Sequence, residues 1–388
     1  MPRQPTYRGF ALNNFVLDSI LLGKIDSDRG TTQSTKNKAS SSSRKWNEYA
    51  AEGNLDPFLR NFPKSMQAEI FSSFANKLRH NYAGKKAQDE LRGSSVRTEI
   101  NAISASFRDV GLADPIRHAS GELVKLLKDQ IDGYEDADPP PIQQSPAPIQ
   151  VFDLIKQEYS CPKDTACSQL IEGALFFGMR SCEYVKTPGF LKKRTTLLEL
   201  RDISFYNDKS ILIPHNGTNL LTEAFTVKIT YRKQKNKENC QEVSITKSPN
   251  RLCSVDAWCK IVTRVRLYPS SNDNTFVCTY FCSMSGKYKQ INNDHVTNML
   301  KSAVEIIGPD IIGVPLDRVG THTIRTSFEL FLSLAKEEDS VIMLKGRWKS
   351  AAFMKYIRGY INKFGASAST SISNPVTGNF VSSHTYQH

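Results

Sequence analysis

The stretch 135–150, EDADPPPIQQSPAPIQ, sets the first limit on what this chain can fold into. Proline fixes its own backbone and lacks an amide donor, and the neighbouring acids resist burial, so the run suits neither a helix interior nor a sheet. It is read as an interdomain linker, 134–150. A chain of 388 residues then has enough length for a separate core on each side.

Upstream, from Trp46 to Gly133, apolar residues recur at three and four in LDPFLRNFPKSMQAEIFSSFANKLRHNYA, GSSVRTEINAISASFRDVGL and ASGELVKLLKDQIDGY. That period predicts a small all-α domain, 46–133, with Asp56 and Ser120 as N-caps and Gly111 as a stop. Residues 1–30 are expected to contribute one packed helix. The following TTQSTKNKASSSSRKW is rich in Ser, Thr and Lys and is expected to be a flexible basic linker, so 1–45 is set apart.

Downstream, VFDLIKQEY and TACSQLIEGALFFGMRSCEYV predict helices, followed by strands in RDISFY, KSILIP, FTVKITYRKQ and CQEVSITK. Val227, Ile229 and Tyr231 alternate with Lys228 and Arg232, as in a half-buried strand. Helices return in SVDAWCKIVTRVRLY, NDHVTNMLKSAVEIIG, THTIRTSFELFLSLAKEED and KGRWKSAAFMKYIRGYI. The expected class is therefore α+β, mostly α with a small antiparallel β-sheet, over 151–364. The polar, aperiodic remainder, 365–388, is expected to be disordered.

A formal net charge of +12 favours an anionic partner, nucleic acid above all, although a basic protein that is merely soluble has the same total. No apolar run approaches the roughly 18 to 20 residues of a membrane span, and MPRQPTYRGF lacks a signal-peptide core. An intracellular, nuclear location is expected. The eight cysteines include no C-x-x-C pair, CTYFC being the nearest, so they are read as small buried hydrophobes and not as zinc ligands.

Three short motifs carry candidate chemistry. In THTIRTSFELFLSLAK, His322 and Arg325 share one face of a helix near its N-terminus, where free N–H groups favour an anion; a surface pair is the plainer alternative. In GMRSCEYV, Arg180 ends an apolar helix with Glu183 three residues on, either an internal ion pair or an anion site. In YRKQKNKENCQEV, lysines stud a turn after a strand, as solvated charge or as a group that contacts phosphate or donates a proton.

Taken in order, R-x-x-E in a helix, a hairpin lysine, H-x-x-R opening a later helix, then G-R-W-K-S and a tyrosine, the set resembles the tyrosine recombinase (phage integrase) family. DPPP, GRWKSAAFMKYIR and LCSVDAWCKIVTRV look most like recombinases of eukaryotic DIRS-type and Crypton-type mobile elements. The resemblance covers about residues 45–362 and implies an N-terminal helical core-binding domain followed by a catalytic domain.

It further implies that Arg180 and Arg325 clamp a scissile phosphate, that His322 assists proton transfer, that Lys235 protonates the departing 5′-oxygen, and that Tyr356 is the nucleophile. Lys233 and Lys237 flank Lys235 and stay open as alternatives. The family places His or Trp directly after the glycine. Here Arg347 follows Gly346 and Trp348 comes next, so Trp348 is taken for that role with Arg347 as the alternative. Tyr360, one turn beyond Tyr356, is expected to pack.

The implied partner is double-stranded DNA, cut and rejoined by a homo-oligomer on paired sites without nucleotide cofactor or metal. Both basic domains would close round the duplex, with Lys192, Lys193, Arg194, Lys228 and Arg232 as candidate backbone contacts. A recombinase-like protein that binds without cutting, and a type IB topoisomerase, are the alternatives.

Overall fold

A computed structural model describes residues 33–81, 90–140, 143–157, 159–189, 195–216, 219–234 and 238–348, with a few positions outside them. The chain divides into two compact units, residues 1–141 and 142–388. Each is described by itself.

The first unit is helical: α1 (Gln33–Glu52), α2 (Lys64–Asn81), α3 (Gly93–Asp109) and α4 (Lys125–Ala137). Its core is built from Trp46, Phe71, Phe74, Ile100, Phe107, Leu127 and Ile131, at the expected three-and-four spacing. Gly111, just past α3, has φ 80°, the left-handed stop its position predicts. Asp56 caps a turn instead of a helix, accepting from the amides of Phe58 and Arg60. Ser120 likewise lies in the turn ahead of α4. Thr6–Tyr7 (β1) pairs with Phe10–Ala11 (β2), and the described positions after it, Val16, Ser19 and Leu22, are helical, within the stretch where one helix is expected.

Helix α1 corrects the flexible linker expected there. The hydroxyls of Ser42 and Ser43 bond back to the carbonyls of Lys38 and Ala39, so they decorate the helix instead of competing with it. Its main anchor is Trp46, which is 3% exposed, stacks on Phe71 with centroids 4.7 Å apart, and donates to the Pro57 carbonyl at 2.8 Å, with Tyr49 packed beside it on Phe74. Burial of such a side chain outweighs the weak helix propensity of a serine run.

The second unit is mostly helical with a small antiparallel sheet. After α5 (Ile149–Ile155), α6 (Pro162–Phe176) and α7 (Ser181–Tyr184) comes a four-stranded sheet ordered β4-β3-β5-β6, from β3 (Ile203–Tyr206), β4 (Leu212–Ile213), β5 (Thr226–Tyr231) and β6 (Gln241–Thr246). Helix α8 (Leu220–Glu223) connects β4 to β5. Ile203 faces Ile229, and Ile229 faces Val243. The buried face of β5 is Val227, Ile229 and Tyr231, as the alternation predicts.

Helix α9 (Ser254–Arg266) places Trp258 at the centre of the core, edge-on to Phe177 at 6.3 Å. A hairpin, β7 (Thr279–Cys282) and β8 (Lys287–Gln290), turns at Gly286 with φ 60°. The sequence reading assigned no strands there. Then follow α10 (Asn293–Ile307), α11 (Pro309–Ile312), α12 (Thr321–Leu334) and α13 (Asp339–Gly346). Among the described residues no helix is long and apolar enough to cross a membrane.

Two further expectations change. The stretch 134–150 contains the division between the two units but is structured toward both ends, since helix α4 runs on to Ala137 and Ser145–Ala147 are buried. The helix expected over 345–361 is interrupted at its start, because α13 ends at Gly346 and Arg347 takes φ 57°, ψ 48°. Residues 365–388 lie outside the described residues.

Candidate active site

Helix α6 does not carry Arg180, as expected from sequence. It ends at Phe176; Gly178 turns the chain with φ 51°, and Arg180 restarts it as the N-cap of α7. Glycine is required at 178 on two counts: the backbone is left-handed, and a Cβ there would strike the Phe328 ring. The break leaves the Gly178 carbonyl unmatched within a helix, and Arg325 Nη1 donates to it.

Glu183 lies at the middle of the site. Its carboxylate accepts from the Arg180 amide at 2.9 Å, from Arg180 Nη1 at 3.1 Å and from Arg347 Nη2 at 2.8 Å. Burial pushes this carboxyl up, but Arg347, Arg180 and Arg325 together hold it below its ordinary range. The Arg180–Glu183 ion pair foreseen as the plainer alternative is thus present, and it belongs to a larger set.

Arg325 is 2% exposed and sits on α12, one turn after His322. Besides Gly178, it donates through Nη2 to the Gly346 carbonyl at 2.7 Å, and its Cζ lies 4.0 Å from the Trp348 ring centroid. Trp348 also stacks on Phe328, 6.3 Å between centroids at 20°. Gly346 has to lack a side chain, since a Cβ would coincide with that indole. Burial and the nearby Arg180 depress the Arg325 pKa, so a bound anion would favour its charged form.

His322 is neutral over the physiological range: burial, then Arg325 and Arg180, lower its pKa to about 4. Free N–H groups are expected from sequence at this helix start, but the His322 amide donates to Gln144 Oε1 at 2.7 Å. An anion here would meet side chains more than that amide.

Arg347 and Trp348, the two candidates for one role, diverge. The left-handed turn sends Arg347 inward, to Glu183 and to the face of Tyr231 with Cζ 3.5 Å from the ring centroid. Trp348 remains half-buried over Arg325. Four of the six expected site residues, Arg180, His322, Arg325 and Trp348, therefore come together. Lys235 and Tyr356, with Lys237, lie outside the described residues, as do Lys192, Lys193 and Arg194.

The other expected backbone contacts are engaged internally. Arg232 pairs with Glu199 at 3.1 Å and donates to Asp202 at 3.0 Å, and Lys228 pairs with Glu242 at 3.2 Å. Sequence reasoning did not single out Gln144, Arg347 as a Glu183 ligand, or Glu329. Glu329 is fully buried one turn beyond Arg325, and neither oxygen has a hydrogen-bond partner among the described residues. Burial pushes it up to about 8, against the pull of Arg325, so it holds a proton at neutral pH.

Three guanidiniums against one carboxylate, beside a neutral imidazole, leave an excess of positive charge within a largely dry site. Such a site can bind an anion strongly and stabilise negative charge that grows during a reaction. Arg180, with 24% of its side chain exposed, is the open member of the set.

No family model and no curated protein matches the sequence. Among solved structures, the chain is similar to the XerH site-specific recombinase bound to palindromic difH substrate, at 16% identity over 84% of this chain and 76% of that one, TM-score 0.45. It is similar also to the Tn1549 transposon integrase with circular intermediate DNA, at 13% over 81% and 94%, TM-score 0.42. A lambda integrase dimer bound to a COC′ core site shares 13% over 86% and 91%, TM-score 0.45. At these scores the likeness carries no inference about activity.

Proposed function

We propose that this chain is a tyrosine recombinase, a site-specific DNA recombinase or integrase of a mobile element that works as a homo-oligomer on paired duplex sites in the nucleus. The observation that carries the reading is the convergence of Arg180, beside buried Glu183, with His322 and Arg325 from one turn of the distant helix α12.

A phosphodiester under attack gains negative charge, and arginine forks hold that charge without titrating. Loss of one preorganised donor typically costs on the order of 3 kcal/mol in the barrier. In this reading the Tyr356 hydroxyl attacks phosphorus, the bond to the 5′-oxygen breaks, and Lys235 gives the leaving oxygen its proton. Tyrosine, with a free pKa of about 10, needs nearby cations or a base to act at neutral pH. His322 is neutral and so able to accept that proton, and a bound phosphate, by offsetting the charges of Arg325 and Arg180 that lower its pKa, would strengthen it as a base. The 3′-phosphotyrosine keeps the diester energy for rejoining, with no nucleotide cofactor and no metal in the scheme.

One observation favours a second reading, a recombinase-like DNA-binding protein that does not cut. Arg347 occupies the position where the family has His or Trp, and it is turned toward Glu183. One experiment separates the two. Purified protein is given a nicked suicide duplex carrying the site it selects from random DNA. A denaturant-resistant adduct lost in Tyr356→Phe is expected. An adduct that survives Tyr356→Phe removes the nucleophile assignment, and binding without any adduct favours the noncutting reading.

A further inference from the structure

The first residues of the second unit, 144–147, dock across the start of α12. Gln144 Oε1 accepts from the His322 amide, the Ser145 amide donates to the Arg318 carbonyl at 2.8 Å, and the Ala147 amide donates to Ser327 Oγ at 2.8 Å. Ser327 in turn donates to the Thr323 carbonyl at 2.7 Å. These contacts bracket the first two turns of the helix that bears His322 and Arg325. Pro146 and Pro148 limit how far the segment can bend between them. Gly320 completes the fit, because the Gln144 carboxamide lies where its Cβ would be.

We propose that Gln144 is a positioning residue for His322, closing off the amide of the active-site turn and holding the imidazole where Arg325 and Arg180 face it. A helix start normally leaves such amides to water or to a bound anion. Gln144 fills that place from a distant part of the chain, so the turn cannot roll or admit water without breaking its bond. The proposal rests on the recombinase reading only for the meaning of the site; the link between Gln144 and His322 is testable without DNA.

The experiment uses full-length protein and two readouts that a general packing defect would not move alone: amide exchange at His322 and NMR titration of its ring. In Gln144→Ala, exchange at His322 is expected to rise about tenfold relative to the rest of α12, the equivalent of one lost hydrogen bond. The His322 titration is expected to move up toward its ordinary value as water enters. Gln144→Glu, which keeps the acceptor oxygen, is expected to retain the protection of the His322 amide.

Gly320→Ala, which displaces the carboxamide sterically, is expected to repeat the Gln144→Ala result and guards against a misfolded single variant. Unchanged exchange and titration in Gln144→Ala and Gly320→Ala overturn the proposal. Loss of the His322 amide protection in Gln144→Glu as well overturns it too, since the acceptor would then not be what matters; the ring titration is read only in the two uncharged variants, because the new carboxylate raises it by charge alone. Failure of the wild type to form a DNA adduct would strike the recombinase reading and leave these outcomes as they stand.

Discussion

Arg347 and Glu183 form an ion pair closed to solvent on both sides, with Arg347 Nη2 2.8 Å from Glu183 Oε2 and neither side chain exposed. Removing one member of such a pair strands the other as a buried charge. Arg347→Met is therefore expected to destabilise the second unit by about 3–5 kcal/mol, and Glu183→Gln by a similar amount. The double variant is expected to lose clearly less than the sum, as a double-mutant cycle by urea unfolding would read. Strict additivity would mean the two side chains do not act as a pair.

Two site residues make opposed contributions to the pH dependence of stability. His322 titrates near 6.5 unfolded and about 4 folded, so its stability contribution is complete above 6.5 and is lost as pH falls toward 4. Glu329 titrates near 4.5 unfolded and about 8 folded, so its contribution is complete below 4.5 and is lost as pH rises toward 8. They offset each other between 4.5 and 6.5. Above 6.5 the Glu329 slope stands alone, up to about 1.4 kcal/mol per pH unit. Glu329→Gln is expected to gain on the wild type steadily from pH 5 to 8 in denaturant titrations; a constant difference would place the slope elsewhere.

Gly346→Ala is expected to push Trp348 off Arg325, since the added methyl and the indole cannot share one position. Trp46 and Trp258 are buried in other parts of the two cores. The change should therefore be visible as red-shifted emission and stronger acrylamide quenching of one tryptophan in three. An emission spectrum identical to the wild type would show that the ring accommodates the methyl.

Trp46→Ala is expected to cost the first unit about 3–5 kcal/mol, the usual loss on truncating a buried aromatic. Because Trp46 is the main anchor of α1, limited proteolysis should then cut the serine-rich turns that the wild type protects. Cleavage of 33–45 at equal rates in both proteins would mean that α1 is held by something else.

Much of this was legible in the sequence, and the reasons differ by residue. The alternation of β5 reports a single face buried against one core, so Val227 and Ile229 declared their placement; α12 is buried continuously from Thr323 to Leu330, and its period alone left His322 and Arg325 readable as a surface pair. The break before Arg180 was hidden because apolar residues continue across it from α6; only Gly178 marks the turn. The β7–β8 hairpin was faint because only β7, TYFC, is apolar and aromatic, while β8, KYKQ, is polar and exposed and Gly286 alone marks the turn. Polarity along α1 outweighed its most informative residue, Trp46. Gln144 gave no local sign at all, since its partner lies on a helix far along the chain.

Arg325 joins two main-chain carbonyls, those of Gly178 and Gly346, that no secondary structure would bring together. Its guanidinium thus serves as a tie-bar between the Arg180 segment and the end of α13, whatever else it does. Truncating Arg325 would therefore loosen two segments of the fold as well as remove a charge from the site. Arg180, partly open and tied mainly to Glu183, is the residue at which chemistry and architecture can be separated.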